Sequence, residues 1–355
     1  MNKLYEQFSL DNLLLKNRIV MAPLTRSRAD LEGNPTDIMV TYYGQRATAG
    51  LIIAEATQIS QQGQGYIATP GIYKDTHVSG WKKIVDEVHD KGGLICLQLW
   101  HVGRISHTDF QPNQEQPVAP SAIQAKSKVY NDKGFLDASM PRALEETEIS
   151  EIVNQYVEAA KNAKAAGFDM IEIHAANGYL IDQFLRDKTN RRSDSYGGSV
   201  ENRTRFLLEV IDGVLNIYPA ARIGCRIAPV SEFNDISDSN PKELFTYVAK
   251  ELGKRKIGYL HVIEGNTGAA RDSVEFDYLD LYQSFKASGG LATMANNGYT
   301  KDLAESAQES IDLICFGRPF ISNPDLVEKL KNNIPLTPGD QKTFYGGAEK
   351  GYIDY

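Results

Sequence analysis

Nowhere in this chain do about 18 apolar residues follow one another, the length a membrane-crossing helix needs, so no transmembrane helix is expected. Cysteine is scarce. Cys96, Cys225 and Cys315 each lie inside an apolar, strand-like run, where a thiol reads as a small buried hydrophobe. Three scattered cysteines make neither a disulfide framework nor a metal set, and they cannot supply the four thiolates of an iron–sulfur cluster. Positive charge is also short: 38 Lys and Arg stand against 46 Asp and Glu, for a net charge of -8. Nucleic-acid phosphates would be repelled by such a surface, so no nucleic-acid partner is expected. The opening Met1-Asn-Lys-Leu-Tyr-Glu-Gln carries no apolar segment of the signal-peptide kind. With the buried thiols, this points to a reducing cytoplasm and to no membrane partner. Sequence repeats and low-complexity segments are missing too. What is present is a globular composition, 42% hydrophobic and 24% charged, over 355 residues. That exceeds the usual single domain, but α/β barrels of this length form one unit.

Short apolar runs alternate with helical patterns along the chain. The strand candidates are residues 19–22, 51–54, 94–99, 170–174, 223–227, 259–262, 291–295 and 313–316. Runs of this kind are expected for parallel strands buried on both faces. Helical spacing appears over 78–89, 148–166, 200–217, 241–254, 276–285, 301–308 and 324–331. Eight strands alternating with helices predict a (β/α)8 TIM barrel; a doubly wound sheet is the alternative, though it usually has fewer strands. Residues 4–17 read as an N-terminal hairpin closing one end. Residues 100–147 show little periodicity and much Pro, Gln, Asn and Ser. A connection that long is functional or disordered, and it is read as a capping or lid subdomain within one barrel domain spanning 1–355.

One stretch gathers chemistry. Asp169-Met-Ile-Glu-Ile-His-Ala-Ala-Asn-Gly-Tyr179 begins as a strand and ends in a polar turn. His174 and Asn177 can converge on one ligand oxygen, and Tyr179 can reach another atom of the same ligand. The plain alternative is a buried strand whose His caps a turn. Clustering at a strand end favours the functional reading, because that is where barrel sites collect. Other predicted strand ends add Thr25, Gln98, Arg226, Asn297, Gly298, Gly317 and Arg318. The last four resemble a phosphate site, with main-chain donors and an arginine after the seventh and eighth strands. Gln98 suits the edge of an amide-like ring, and Arg226 suits negative charge on a flat ligand, with a structural ion pair as its equal alternative. Together they point to a phosphorylated heterocycle such as FMN.

The chain resembles the Old Yellow Enzyme family of FMN-dependent ene-reductases, and looks closest to its bacterial branch of N-ethylmaleimide and pentaerythritol tetranitrate reductases. The likeness spans nearly the whole chain. Its marks are Met21-Ala-Pro-Leu-Thr-Arg26, Glu55-Ala-Thr-Gln-Ile-Ser60, Gln98-Leu-Trp-His-Val-Gly-Arg-Ile-Ser-His107 and His174-Ala-Ala-Asn-Gly-Tyr-Leu180. Arg192-Ser-Asp-Ser-Tyr-Gly-Gly-Ser-Val-Glu-Asn-Arg203, Phe316-Gly-Arg318 and Tyr345-Gly-Gly-Ala-Glu349 complete them. The resemblance implies that Pro23, Leu24 and Ala56 contact a non-covalent FMN largely through backbone. It places Thr25 at the flavin C4 carbonyl, Gln98 at the pyrimidine edge and Arg226 near N1 and the C2 carbonyl. Asn297, Gly298, Gly317 and Arg318 would hold the phosphate. His174 and Asn177 would bind the substrate's activating oxygen, Tyr179 would donate a proton, and Tyr66, Trp100 and Tyr345 would line the pocket. The 192–203 block would be structural. Three features depart from the family pattern. Asn296 and Asn297 stand where relatives usually carry small residues, Asn177 stands where close bacterial relatives often have a second His, and 269–276 matches no pattern.

The implied activity is hydride transfer from NADPH (or NADH) through FMN to an alkene conjugated to a carbonyl, imide or nitro group, with nitro compounds or nitrate esters as further acceptors. Small activated alkenes and NAD(P)H are then the partners, with the protein a monomer or weak homo-oligomer. Rival readings are a flavin-linked 2-hydroxy-acid oxidase, a metal hydrolase using His101, His174 and His261, and a non-catalytic flavin sensor.

Overall fold

The computed structural model describes residues 2–355. The chain starts with a hairpin, β1 (Phe8–Leu10) and β2 (Leu13–Leu15), in which Phe8 lies opposite Leu15. There follow β3 (Ile19–Met21), α1 (Asp37–Gln45), β4 (Leu51–Gln58), α2 (Asp75–Asp90) and β5 (Ile95–Trp100). A long segment then carries β6 (Val118–Ala119), β7 (Lys128–Asn131), β8 (Gly134–Asp137) and β9 (Arg142–Ala143) before α3 (Glu146–Ala166). Next come β10 (Met170–Ala175), α4 (Leu180–Leu185), α5 (Val200–Val214), β11 (Ile223–Ile227), α6 (Pro241–Lys254), β12 (Tyr259–Ile263) and α7 (Tyr278–Ala287). The chain continues through β13 (Ala292–Asn296), α8 (Lys301–Ala307), β14 (Leu313–Phe316), α9 (Arg318–Ser322) and α10 (Leu326–Asn332). Eight strands close a barrel in the order β3-β4-β5-β10-β11-β12-β13-β14, and β14 pairs in parallel with β3. The fold is the (β/α)8 barrel that the alternation predicts, and closure excludes the doubly wound sheet.

Three helices escape the sequence pattern. α1 reads Asp-Ile-Met-Val-Thr-Tyr-Tyr-Gly-Gln, rich in strand formers, yet burial of Met39, Tyr42 and Tyr43 fixes it as a helix. α4 and α9 have six and five residues, too few to display a period. The 100–147 segment is more ordered than its composition indicates. β7 and β8 form an antiparallel hairpin, and β6 and β9 pair in parallel.

Alternate residues of each barrel strand face the helices or the axis. Ile171, Ile173 and Ala175 of β10 pack outward with Ile152, Tyr156 and Leu207. Met170 points the other way, into an inner cluster with Val20, Leu51, Ile53, Cys96, Tyr259 and Leu313. The hairpin inserts Leu10, Leu13 and Leu15 into that cluster and so plugs the end where the strands begin. Each such leucine contributes about 1.5–3 kcal/mol by leaving water.

At the opposite end the long segment covers the barrel mouth. Ala125, Val129 and Ala138 pack with Trp100, Ala56 and Tyr179. Hydrogen bonds tie the segment to the loop after β11: the Ser127 hydroxyl donates to Asn234 Oδ1 at 2.7 Å, and the Arg104 guanidinium to the Asp235 carbonyl at 2.6 Å. The 192–203 block holds neighbouring loops. Arg192 donates to the carbonyl of Pro120 at 3.0 Å, and Arg203 to the carbonyl of Leu185 and to Asp238 at 2.6 Å.

Candidate active site at the barrel mouth

The turn after β10 is built to hold its polar groups in one geometry. Asn177 takes a left-handed backbone (φ 60°), which Asn tolerates better than most residues. Gly178 follows at φ 73°, and a Cβ there would meet the Phe233 carbonyl at 2.8 Å, so only glycine fits. Asp182 of α4 accepts from the Gly178 N–H at 2.9 Å, and Gln183 donates to the Gly178 carbonyl at 2.7 Å. Both side chains are buried, so the turn is anchored from below.

This anchoring fixes which atoms remain for a ligand. Asn177 Oδ1 accepts from the Thr267 hydroxyl at 2.8 Å, and its main-chain oxygen accepts from Asn234 Nδ2 at 2.9 Å. Its side-chain NH2 is therefore the free group, a donor. His174 Nδ1 accepts from the Ala176 N–H at 3.4 Å, which leaves the ring proton on Nε2. Burial, then the charge of Arg226 and the neighbouring His261, drive the His174 pKa well below its ordinary value, so the ring is neutral. Two neutral donors thus stand three residues apart at one strand end.

Tyr179 lies beside them. Its ring meets the His174 ring edge-on at 5.1 Å and the Trp100 ring at 5.0 Å, and its hydroxyl is 3.5 Å from that of Tyr66. Tyr66 stacks on Trp100 at 5.9 Å. Burial, then Tyr66, raises the Tyr179 pKa well above that of a free phenol, so Tyr179 keeps its proton. Tyr345 stands at the rim, 69% exposed. Its loop is held by Arg26, which donates to the Phe344 carbonyl at 2.8 Å and accepts from Gly346 N–H through its own carbonyl at 3.0 Å.

The other strand-end groups surround the same mouth. Pro23, Leu24 and Thr25 follow β3, and Ala56 sits where the β4–β5 register shifts between Ala54 and Thr57. That irregularity leaves Ala56 with Trp100 and Tyr179, while Glu55 accepts from the Tyr43 hydroxyl of α1 at 3.1 Å. Arg226 is opposite His174 in the β10–β11 register and donates to Asn296 Oδ1 at 2.8 Å. Its buried Nε has no partner among the described residues. Gln98 donates to Glu172 at 2.7 Å. After β13, Asn297 (φ 99°) and Gly298 (φ 69°) form a left-handed turn whose N–H groups can face an anion. The Asn297 side chain is already engaged, donating to the Glu264 carbonyl at 2.6 Å, so only its backbone is left for a phosphate. Arg318 is exposed beside Gly317. A hydrogen-bonding edge, a buried guanidinium whose Nε is unpaired among the described residues and a glycine turn with an exposed arginine suit a flat ring bearing a phosphate. FMN fits this donor set.

The sequence pattern left out several groups that matter. Thr267 and Asn234 lie in loops after β12 and β11, and nothing local marks them as supports for Asn177. The loop after β12 reaches the site through Thr267, just before the 269–276 stretch that matches no family pattern, and in that stretch Arg271 pairs with Glu264 at 2.8 Å. Glu172 and His261 form a buried ion-pair-like contact at 2.8 Å below the mouth. A charged residue at an inward position of an apolar strand was their only signal. The trio His101, His174 and His261 does not assemble: among the described residues no three His, Cys, Asp or Glu side chains group as a metal set. A cavity of about 420 Å³ between α7 and α8 is lined by Glu264, Arg271, Tyr282 and Tyr299. The Glu264 carboxylate there is already satisfied by Arg271 and two tyrosine hydroxyls.

Fold and mouth together define a flavin-dependent barrel oxidoreductase. The chain belongs to the NADH:flavin oxidoreductase / NADH oxidase family, the Old Yellow Enzyme family, whose model matches residues 3–337. It is 42% identical to 12-oxophytodienoate reductase 1 of Oryza sativa subsp. japonica, over 98% of this chain and 91% of that one. It is also 42% identical to a probable flavin mononucleotide-dependent alkene reductase of Leishmania infantum, over 96% of this chain and 93% of that one. The structure of morphinone reductase superposes with a TM-score of 0.94 at 44% identity, covering 100% of this chain and 96% of the other. No helix is long and apolar enough to cross a membrane among the described residues.

Proposed function

We propose that this flavin oxidoreductase is an NAD(P)H-dependent ene-reductase that uses non-covalent FMN and NADPH as reductant to saturate alkenes conjugated to a carbonyl, imide or nitro group. The observation that carries the reading is the pair of neutral donors, His174 Nε2–H and the Asn177 NH2, set beside a phenol held in its protonated form. FMN, when bound, supplies hydride exchange between the nicotinamide and the alkene. Thr25, Gln98 and Arg226 would hold its ring edges, and the Asn297–Gly298 turn, Gly317 and Arg318 its phosphate. His174 and Asn177 donate to the substrate's carbonyl or nitro oxygen and stabilise the charge that builds there, as an oxyanion hole does. Because both donors are neutral, they favour negative charge on that oxygen without protonating it. Tyr179 gives its proton to the α-carbon. Tyr66 and Trp100 hold the Tyr179 ring and exclude water, and Tyr345 closes the rim. The alkene and morphinone reductase relatives support this substrate class.

An anaerobic spectrum of the FMN-loaded protein tests the reading. NADPH should bleach the flavin absorption, and 2-cyclohexenone added next should restore it. Bleaching that the enone does not reverse, or turnover with lactate in place of enones, would overturn it.

A further inference from the structure

The barrel interior holds a charged layer that the proposed reaction does not use. One inward step below the mouth, Gln98 of β5, Glu172 of β10 and His261 of β12 form a hydrogen-bonded chain. Gln98 Nε2 donates to Glu172 Oε1 at 2.7 Å, and His261 Nδ1 donates to Glu172 Oε2 at 2.8 Å. All three are buried, Glu172 completely. Glu172 pairs in register with Gln98 on one side and with Gly224 on the other. The Tyr259 ring takes the space that a Gly224 side chain would fill, and Arg226, the next inward residue on that strand, acts on Glu172 by its charge.

Barrel layers are normally filled by branched apolar side chains, and the layer beneath this one is built that way around Met170, Leu51, Ile53 and Leu313. A buried carboxylate is expensive and often replaceable by apolar residues with no loss of stability. Packing therefore does not call for a glutamate at this level. Its contacts do. One oxygen holds Gln98 and its charge faces Arg226, the two groups assigned above to the flavin's pyrimidine edge. Burial opposes ionisation of Glu172, but His261, Arg226 and Gln98 outweigh it and hold the carboxyl below its usual range. Burial lowers the His261 pKa, with Glu172 opposing and Arg226 adding to the shift. His261 meets Glu172 through its Nδ1–H and stands opposite Arg226 in the β11–β12 register.

We propose that Glu172 is a positioning residue for the flavin site: it fixes the Gln98 amide from below, and its charge offsets that of Arg226, so that bound FMN is harder to reduce than Arg226 alone would make it. With one N–H committed to Glu172, Gln98 keeps its carbonyl oxygen and second N–H for the ligand. The inference rests on the reading of Gln98 and Arg226 as flavin-edge groups.

Spectroelectrochemical titration of the FMN-loaded protein tests it. Glu172→Gln keeps the shape and removes the charge. At the wild-type midpoint the ratio of reduced to oxidised FMN should rise roughly tenfold, an upward shift of about 30 mV for a two-electron couple. Glu172→Asp keeps the charge and should stay near the wild-type midpoint. An FMN-bound Gln variant with an unchanged or lower midpoint overturns the proposal. Should that variant not fold, the infrared reduced-minus-oxidised difference of the wild type decides: an ionised-carboxylate band that moves in Glu172→Asp supports the proposal, and its absence sinks it. Arg226→Met separates the two readings. If its potential equals that of the wild type, the flavin-edge assignment fails and takes this inference with it. A lowered Arg226→Met potential with no response at Glu172 removes the inference alone.

Discussion

The two ends of the barrel are built from the same strands and do opposite things. Where the strands begin, Met170, Leu51 and Leu313 meet Leu10, Leu13 and Leu15 of the hairpin in a dry apolar plug. Where the strands end, the same inward-facing rows carry Gln98, His174 and Arg226, all buried yet polar. Along β10 the change takes five residues, from Met170 through Glu172 to His174. The plug can be apolar because its only task is to exclude water. The mouth must keep donors unpaired, so its backbone is pinned from outside by α4 and Asn234, the Asn177 side chain is aimed by Thr267, and the long segment covers them.

If that division is right, substitutions should separate chemistry from stability. The largest effect is expected at the mouth. Tyr179→Phe should slow flavin reoxidation by 2-cyclohexenone by roughly 10²–10⁴-fold, or about 3–5 kcal/mol of barrier, while reduction by NADPH stays nearly intact. Stopped-flow measurement of the two half-reactions reads this directly. Equal slowing of both would indicate displaced flavin and break the assignment. At the plug, Leu15→Ala should cost about 2–4 kcal/mol of stability, as buried leucine truncations do, and lower the denaturant midpoint. Both half-reactions of the folded variant should be unchanged. A Leu15→Ala enzyme that is stable but slow would show that the plug reaches the chemistry after all.

The smallest effect concerns pH. Glu55 lies at the mouth end of β4, and burial raises its pKa from 4.5 to about 7, against the opposing pull of the Arg26 N–H and Tyr43. The folded state binds this proton more tightly than the unfolded chain does. The resulting stability is fully present below about pH 4.5 and is lost as pH rises through about 7. Glu55→Gln cannot titrate. The stability difference, wild type minus variant, should therefore fall by roughly 2–3 kcal/mol between pH 5 and pH 8. Paired denaturant titrations at the two pH values measure it; a difference that stays flat would mean Glu55 is ionised throughout. No plug residue should show such a dependence, since none of its leucines titrates.

Much of this molecule could be read from its residues. Parallel barrel strands are buried on both faces, so they appear as short apolar runs, and β11 and β14 begin and end where the runs do. His174, Asn177 and Tyr179 stand close in sequence, and a strand end followed by a tight turn keeps them close in space. α1 was hidden because its β-branched and aromatic residues favour a strand locally, and only packing of Tyr42 and Tyr43 against the barrel reverses that preference.

What the sequence determined by itself was the alternation of elements and the chemical character of the mouth, because both follow from local patterns of side chains. What only tertiary structure decided was protonation and aim. Asn177 presents its NH2 because Thr267, 90 residues away, takes its oxygen. His174 is neutral because burial and Arg226 make it so, and Glu172 is charged because β5 and β12 bring donors to it. Desolvation and pairing depend on which strands become neighbours when the barrel closes, and no local stretch of residues carries that information.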